Sequence, residues 1–161
     1  MTTAARTTIR IQTEDFDAGA EIAALHAGNP RVGAVCSFIG TVRGDAAGLS
    51  ALELEHYPGM TERAIADMAA QAHARFGIEA ALVIHRVGRL PLHAQIVMVA
   101  VAAPHRGAAF QACEFLIDYL KTQAPFWKKE HTPDGGRWVD ARVADDAALA
   151  RWGVDAPSMA M

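Results

Sequence analysis

Cysteine is scarce in this chain. The 161 residues hold two, Cys36 and Cys113, far apart and in no CxxC pair. Two isolated thiols give neither the disulfide framework of a small secreted domain nor a zinc-ligand cluster, and they fit a reducing cytoplasm best. Long apolar runs are missing too. No stretch approaches 18 uninterrupted apolar residues, and MTTAARTTIRIQTEDF at the start lacks the apolar core of a signal peptide, so neither a membrane span nor export is expected. A basic excess is absent: 15 Lys and Arg face 18 Asp and Glu, for a net charge of −3. That excludes the global positive field of non-specific nucleic-acid or anionic-membrane binders and leaves only local anion sites. There is no GxGxxG, no GxxxxGK[ST], no HExxH and no serine nucleophile elbow, which removes dinucleotide, P-loop, zinc-protease and serine-hydrolase readings. No internal repeat is present.

What is present is an ordinary globular composition, 52% hydrophobic and 20% charged. A chain of this length hides roughly 68–70% of its unfolded surface, so residues 1–161 are expected to form one domain, with loose termini at 1–8 and 153–161. Ile9 and Ile11 predict a short edge strand, and Asp15 or Asp17 starts a helix to about Ala27 that Gly28, Asn29 and Pro30 end. The β-branched run Val32–Val42 predicts a long strand ending at Arg43, before a small-residue loop over 44–50. Arg43-Gly44-Asp45 matches a cell-adhesion tripeptide, but without an export signal that reading is set aside.

Ala51–Tyr57, ALELEHY, alternates as a half-buried antiparallel strand does, and a helix follows from Thr61 to about Arg75 with Gly77 as its C-cap. Ala80–Val87 predicts a strand, 88–93 a connecting turn, and the almost continuously apolar Gln95–Ala103 a central strand buried on both faces. The next helix begins after Pro104, runs to about Lys121 and is stopped by Pro125. Phe126–His131 and Arg137–Val143 predict a hairpin around TPDGG, and a short polar helix follows near Asp145–Trp152. Strand pairs preceding helices imply an α+β domain, with helices on a mostly antiparallel or mixed sheet.

Candidate chemistry concentrates in HRGAAFQACEFLIDYLKTQAPFWKKEH, residues 105–131. His105 and Arg106 open a helix, where free N–H groups and cationic side chains together suit a phosphate or carboxylate. Lys121 lies on the border of a polar stripe formed by Gln111, Glu114, Asp118 and Thr122. By itself it is sufficiently explained as a surface lysine near a helix C-terminus and Asp118. Lys128 would share the Lys121 face only in an unbroken helix, so any meeting of the two depends on how the chain folds back after Pro125. Two ammonium groups held close depress one another's pKa and gain acid, base or nucleophile character. Of Phe126 and Trp127, strand alternation turns one inward. Arg43, at a strand end beside a loop, is a further candidate. His56, His73, His85 and His93 read as structural or surface residues, and the cysteines as small buried hydrophobes.

FIGTVR (38–43), LELEHYPGMTE (52–62), VIHRVGRL (83–90), APHRGAAF (103–110), FLIDYLKTQAPFWKKE (115–130) and GRWVDAR (136–142), in that order, resemble the large, catalytic subunit family of molybdopterin synthase. The resemblance implies an α/β-hammerhead type of α+β fold. It also implies a homodimer at the core of a heterotetramer, each copy docking a small ubiquitin-like sulfur carrier. The carrier's C-terminal Gly-Gly thiocarboxylate would give its sulfur to cyclic pyranopterin monophosphate, forming the dithiolene of molybdopterin in two transfers. Carried onto this chain, Lys121 and Lys128 become the catalytic pair. Thr41, Val42, Arg43, His105, Arg106, Lys129, Glu130 and Arg142 join them as substrate-binding residues, Arg142 across the dimer. Some relatives carry Lys in place of Thr41, whose backbone rather than side chain then lines the pocket. The activated sulfur arrives on the partner, so no catalytic cysteine, metal or resident cofactor is expected. A non-catalytic module that binds a ubiquitin-like partner or phosphate ligand, and a phosphate-ester hydrolase using His105 and Arg106, are the competing readings.

Overall fold

An apolar strand without a polar face needs cover on both sides, and Gln95–Ala103 receives it. The computed structural model describes residues 6–44, 48–139 and 143–153, with side chains at 143–145 left out. In chain order its elements are β1 (Arg6–Gln12), α1 (Ala18–His26), β2 (Ala34–Thr41), β3 (Ala51–His56), α2 (Met60–Phe76), β4 (Ala80–Arg86), β5 (Gly88–Pro91), β6 (Gln95–Ala103), α3 (Arg106–Gln123), β7 (Phe126–Thr132), β8 (Gly135–Trp138) and α4 (Val143–Ala150). No helix among these residues is long and apolar enough to cross a membrane.

The strands form two sheets. The first has order β1-β4-β6-β2, parallel between β1 and β4 and antiparallel elsewhere. Period-2 alternation sends Ala81, Val83, Val97, Val99 and Val101 to one face, under Ile65, Met68 and Ala72 of α2 and Phe115 and Leu116 of α3. Leu82, Ile84, Met98 and Ala100 go to the other, under Leu25 and Ile22 of α1. The second sheet has order β5-β3-β7-β8 and is antiparallel throughout. Leu52, Leu54 and Leu90 of that sheet pack with Val42 and Leu49. The α+β class expected from the sequence is the fold observed.

Local signals set most boundaries. Asp17 caps α1 by accepting a hydrogen bond from the Ala20 amide at 3.1 Å. Gly77 ends α2 at φ 64°, a left-handed conformation that suits glycine, and its N–H donates to the His73 carbonyl at 3.1 Å. Gly33 donates to the Ala103 carbonyl at 2.9 Å. A Cβ there would lie 2.3 Å from the Pro104 carbonyl oxygen, so only glycine lets the chain enter β2 against the junction of β6 and α3.

Two expectations are corrected. Residues 88–93 are not simply a turn: Gly88 bends the chain at φ 90°, and 88–91 then pair with Leu54 to Ala51 as β5. Four residues punctuated by Gly and Pro carry too little alternation to announce a strand. The single sheet is in fact two, because among the described residues β3, β5, β7 and β8 pair only with one another. The predicted hairpin forms with Gly135 already in β8. The region beyond Val139 to residue 142, Asp45 of the tripeptide and most of both expected loose termini lie outside the described residues.

Candidate functional site

The local geometry around Pro125 turns the two lysines onto one cavity. Ala124 leaves the helical region, at φ −81° and ψ 128°, as a residue before proline prefers. The Thr61 hydroxyl, fully buried on the first turn of α2, donates to the Pro125 carbonyl at 3.0 Å and accepts from the Tyr57 amide at 3.0 Å. This holds the turn, and β7 leaves it antiparallel to β3 with Lys128 opposite Leu54 and Glu130 opposite Leu52. Alternation then divides the strand. Phe126, Lys128 and Glu130 line a cavity of about 890 Å³ between the two sheets and the C-terminal end of α3. Trp127 meets the Tyr57 ring edge-on at 5.7 Å. The Lys129 ammonium lies 5.6 Å from the Trp138 ring centre, its stem across Gly136.

Lys121 reaches the same cavity from α3, beside Ile117, Leu120 and Ala124. Asp118 is spent elsewhere: it accepts from Arg151 and from the Trp152 indole, both at 2.8 Å, while Arg151 also pairs with Glu114. Among the described residues no carboxylate pairs with Lys121. Thr41, Val42 and Arg43 form the opposite wall. The pairing of β2 with β6 shifts register between Gly40 and Thr41, the kind of irregularity that re-aims side chains at a strand end. At Gly40 a Cβ would fall 2.9 Å from a Val97 methyl, so its absence lets Val97 join the lining.

Of the residues singled out from the sequence, Thr41, Val42, Arg43, Lys121, Lys128 and Glu130 thus share one cavity. Glu130 also accepts from Arg137 at 3.3 Å. His105 and Arg106 do not share it. His105 is the N-cap and Arg106 the first residue of α3, sixteen and fifteen residues before Lys121, so roughly 22 Å or more away along a helix rising about 1.5 Å per residue. Lys129 faces away, as its odd place on β7 requires. Arg142 lies outside the described residues.

Two histidines read as structural or surface line the cavity. His93 holds a left-handed backbone at φ 72°, its N–H donating to the Val42 carbonyl at 2.9 Å. His85, at the end of β4, is 7% exposed and stacks on Phe126 with ring centres 3.8 Å apart. Burial, with Lys128, Lys121 and His56 nearby, pushes its imidazole down to about 4, against the opposing effect of its hydrogen bond to the Arg86 carbonyl. A signal for its burial was available, since His85 continues the Ala81, Val83 period; nothing local announced the cavity.

The folded state therefore keeps His85 neutral where an unfolded chain, with a pKa near 6.5, would protonate it. The stability this contributes is present above about 6.5 and is lost as pH falls toward about 4. Urea denaturation across that window should show the loss, and His85→Gln, which cannot titrate, should reduce it.

Burial raises the Cys113 thiol far above its ordinary value, with Cys36 adding to the effect, so it offers no thiolate. Among the described residues no cluster of His, Cys, Asp and Glu could hold a metal ion. Among the described lining residues the cavity offers the cations Lys121, Lys128 and Arg43, one acid, Glu130, and a leucine-lined floor. Such a set binds an anionic group and steadies charge that develops on it.

Comparison with known proteins shows the family. Residues 11–123 match the family model described as MoaE protein. A protein from Ralstonia nicotianae named molybdopterin synthase catalytic subunit is 64% identical over 149 residues, covering 91% of this chain and 85% of the relative. Among solved structures, a molybdopterin biosynthesis MoaE protein from Burkholderia ambifaria superposes with TM-score 0.81 at 63% identity, over 92% of this chain and 99% of that one. Molybdopterin synthase from Staphylococcus aureus gives 0.75 at 30% identity, over 81% and 96%. The model match over residues 11–123, together with a relative 64% identical over 91% of this chain, shows that the chain belongs to the MoaE family.

Proposed function

We propose that this chain is the catalytic subunit of a molybdopterin synthase, transferring sulfur from the C-terminal thiocarboxylate of a small ubiquitin-like carrier to cyclic pyranopterin monophosphate. The observation that carries the reading is the convergence of Lys121 and Lys128, from two different elements, on one cavity that also holds Arg43. Both substrates are anionic, one a thiocarboxylate and the other a phosphate-bearing pterin, and charge-assisted hydrogen bonds from such a set bind them. No cysteine is among the described lining residues, which suits a reaction whose sulfur is brought by the partner. The relatives' shared name, over most of the chain, supports the same assignment.

On this reading Lys128 contacts the thiocarboxylate, and Lys121 works on the pterin as acid, base or transient amine. Arg43 and the backbone of Thr41 and Val42 hold anionic substrate, and Glu130 orders the cations beside it. The reaction runs in the cytoplasm, where the two free thiols stay reduced. His105 and Arg106, too distant for the cavity of their own copy, serve that of a second copy in a homodimer, together with Arg142.

The deciding assay mixes the purified chain with thiocarboxylated carrier and cyclic pyranopterin monophosphate, then measures molybdopterin. Product formed with conversion of thiocarboxylate to carboxylate is the expected result. A carrier that binds and keeps its sulfur would favour a non-catalytic binding module. Subunit exchange tests the shared site: Lys121→Ala and His105→Ala chains, each impaired alone, should regain part of the activity when mixed, because one cavity of the mixed dimer is intact. Absence of recovery in dimers shown to have exchanged would place His105 elsewhere.

A further inference from the structure

His85 lines the cavity, and the reading above gives it no task. Its ring is clamped by stacking on Phe126, with 18° between the planes, and Nδ1 lies 2.8 Å from the Arg86 carbonyl oxygen. A carbonyl only accepts, so Nδ1 carries the proton and donates, and Nε2 keeps a lone pair. Lys128 stands two residues beyond Phe126 on the same face of β7, and Lys121 comes in from α3.

A phenylalanine or leucine would fill this corner without the cost of dehydrating an imidazole. A glutamate would neutralise the lysines that an anionic substrate needs, and a further lysine would repel them. A neutral acceptor directs an ammonium and leaves its charge in place. We propose that His85 is a positioning residue for the sulfur-transfer reaction, its Nε2 accepting a hydrogen bond from the Lys128 ammonium in the loaded cavity and aiming that charge at the incoming thiocarboxylate. This rests on the sulfur-transfer reading and adds to it the group that sets the direction of Lys128.

The accepted bond favours the protonated amine. Lys121 and Arg43 in the same cavity oppose it and Glu130 assists it, whereas His56, from β3, is itself 3.3 Å from Glu62 of α2. Two replacements of similar polarity separate the atoms. His85→Asn keeps a donor for the Arg86 carbonyl and loses the reach of Nε2, while His85→Gln can keep an acceptor where Nε2 was.

In the full-length chain with its carrier, His85→Asn should lower kcat about tenfold or more and move the alkaline limb of the kcat profile down by about one pH unit. His85→Gln should stay within about threefold of the unsubstituted chain and keep its limb. Competitive acetylation of Lys128 across pH, in the complex with carrier ending in a plain carboxylate, reads the same shift without turnover. Equal rates and limbs in the two variants, or equal acetylation curves, overturn the proposal, and thermal melts establish that both are folded. If the unsubstituted chain makes no molybdopterin, the sulfur-transfer reading fails instead, a result separable from any difference between the variants.

Discussion

Lys128→Ala and Lys121→Ala should each slow molybdopterin formation by at least ten- to a hundredfold and leave the fold intact. A hydrogen bond to a charged group contributes about 1.5–3 kcal/mol, and each 1.36 kcal/mol of lost transition-state stabilisation is tenfold in rate. The two lysines stand on separate walls, so losing either leaves the other unable to span both substrates. Stability should change little for Lys121→Ala, because the side chain is exposed and no described carboxylate pairs with it. Single-turnover mixing with preformed thiocarboxylated carrier isolates chemistry from carrier docking. Near-wild-type rates for both variants would sink the assignment.

The largest loss of stability is expected from Phe115→Ala, about 3–5 kcal/mol as for other buried aromatic truncations. Phe115 is fully buried on α3, and its ring meets Phe76 at 5.6 Å and Tyr119 and Trp152 at 5.7 Å, with the Arg75 guanidinium 5.0 Å from its centre. These partners come from α2, α3 and the segment after α4, so the hole left behind cannot close by moving one element. For a chain of this size that loss lowers the melting temperature by about 6–20 °C. Urea unfolding measures it directly, and a change under about 1 kcal/mol would show that the site collapses freely.

The sequence announced the fold wherever a single period ran long enough. ALELEHY alternates, α2 and α3 repeat at helical spacing, Gly77 caps α2 and Pro125 stops α3. It was silent where the answer depends on pairing between distant segments. The parallel contact of β1 with β4, the split into two sheets and the strand hidden in GRLP are of that kind. The site followed the same division. On its helix Lys121 reads as a surface lysine, and only the resemblance to a family singles it out; the turn held by Thr61 then explains how it comes to share a cavity with Lys128 on another wall. Neighbours in sequence, Lys128 and Lys129, part company because a strand turns successive side chains to opposite faces. The place of His85 in the cavity is not legible in its own segment because its partners, Phe126 and the two lysines, arrive from far along the chain.

Asp118 is one helical turn from Lys121, close enough on bare helix geometry to quench it. The arginine and tryptophan that follow α4 take up that carboxylate instead. The segment at 151–152 therefore works as an electrostatic insulator: its contribution is to keep an acid occupied so that a base-rich pocket stays cationic. A chain cut before Arg151 would retain every cavity residue named here, yet would carry an idle carboxylate one turn from Lys121.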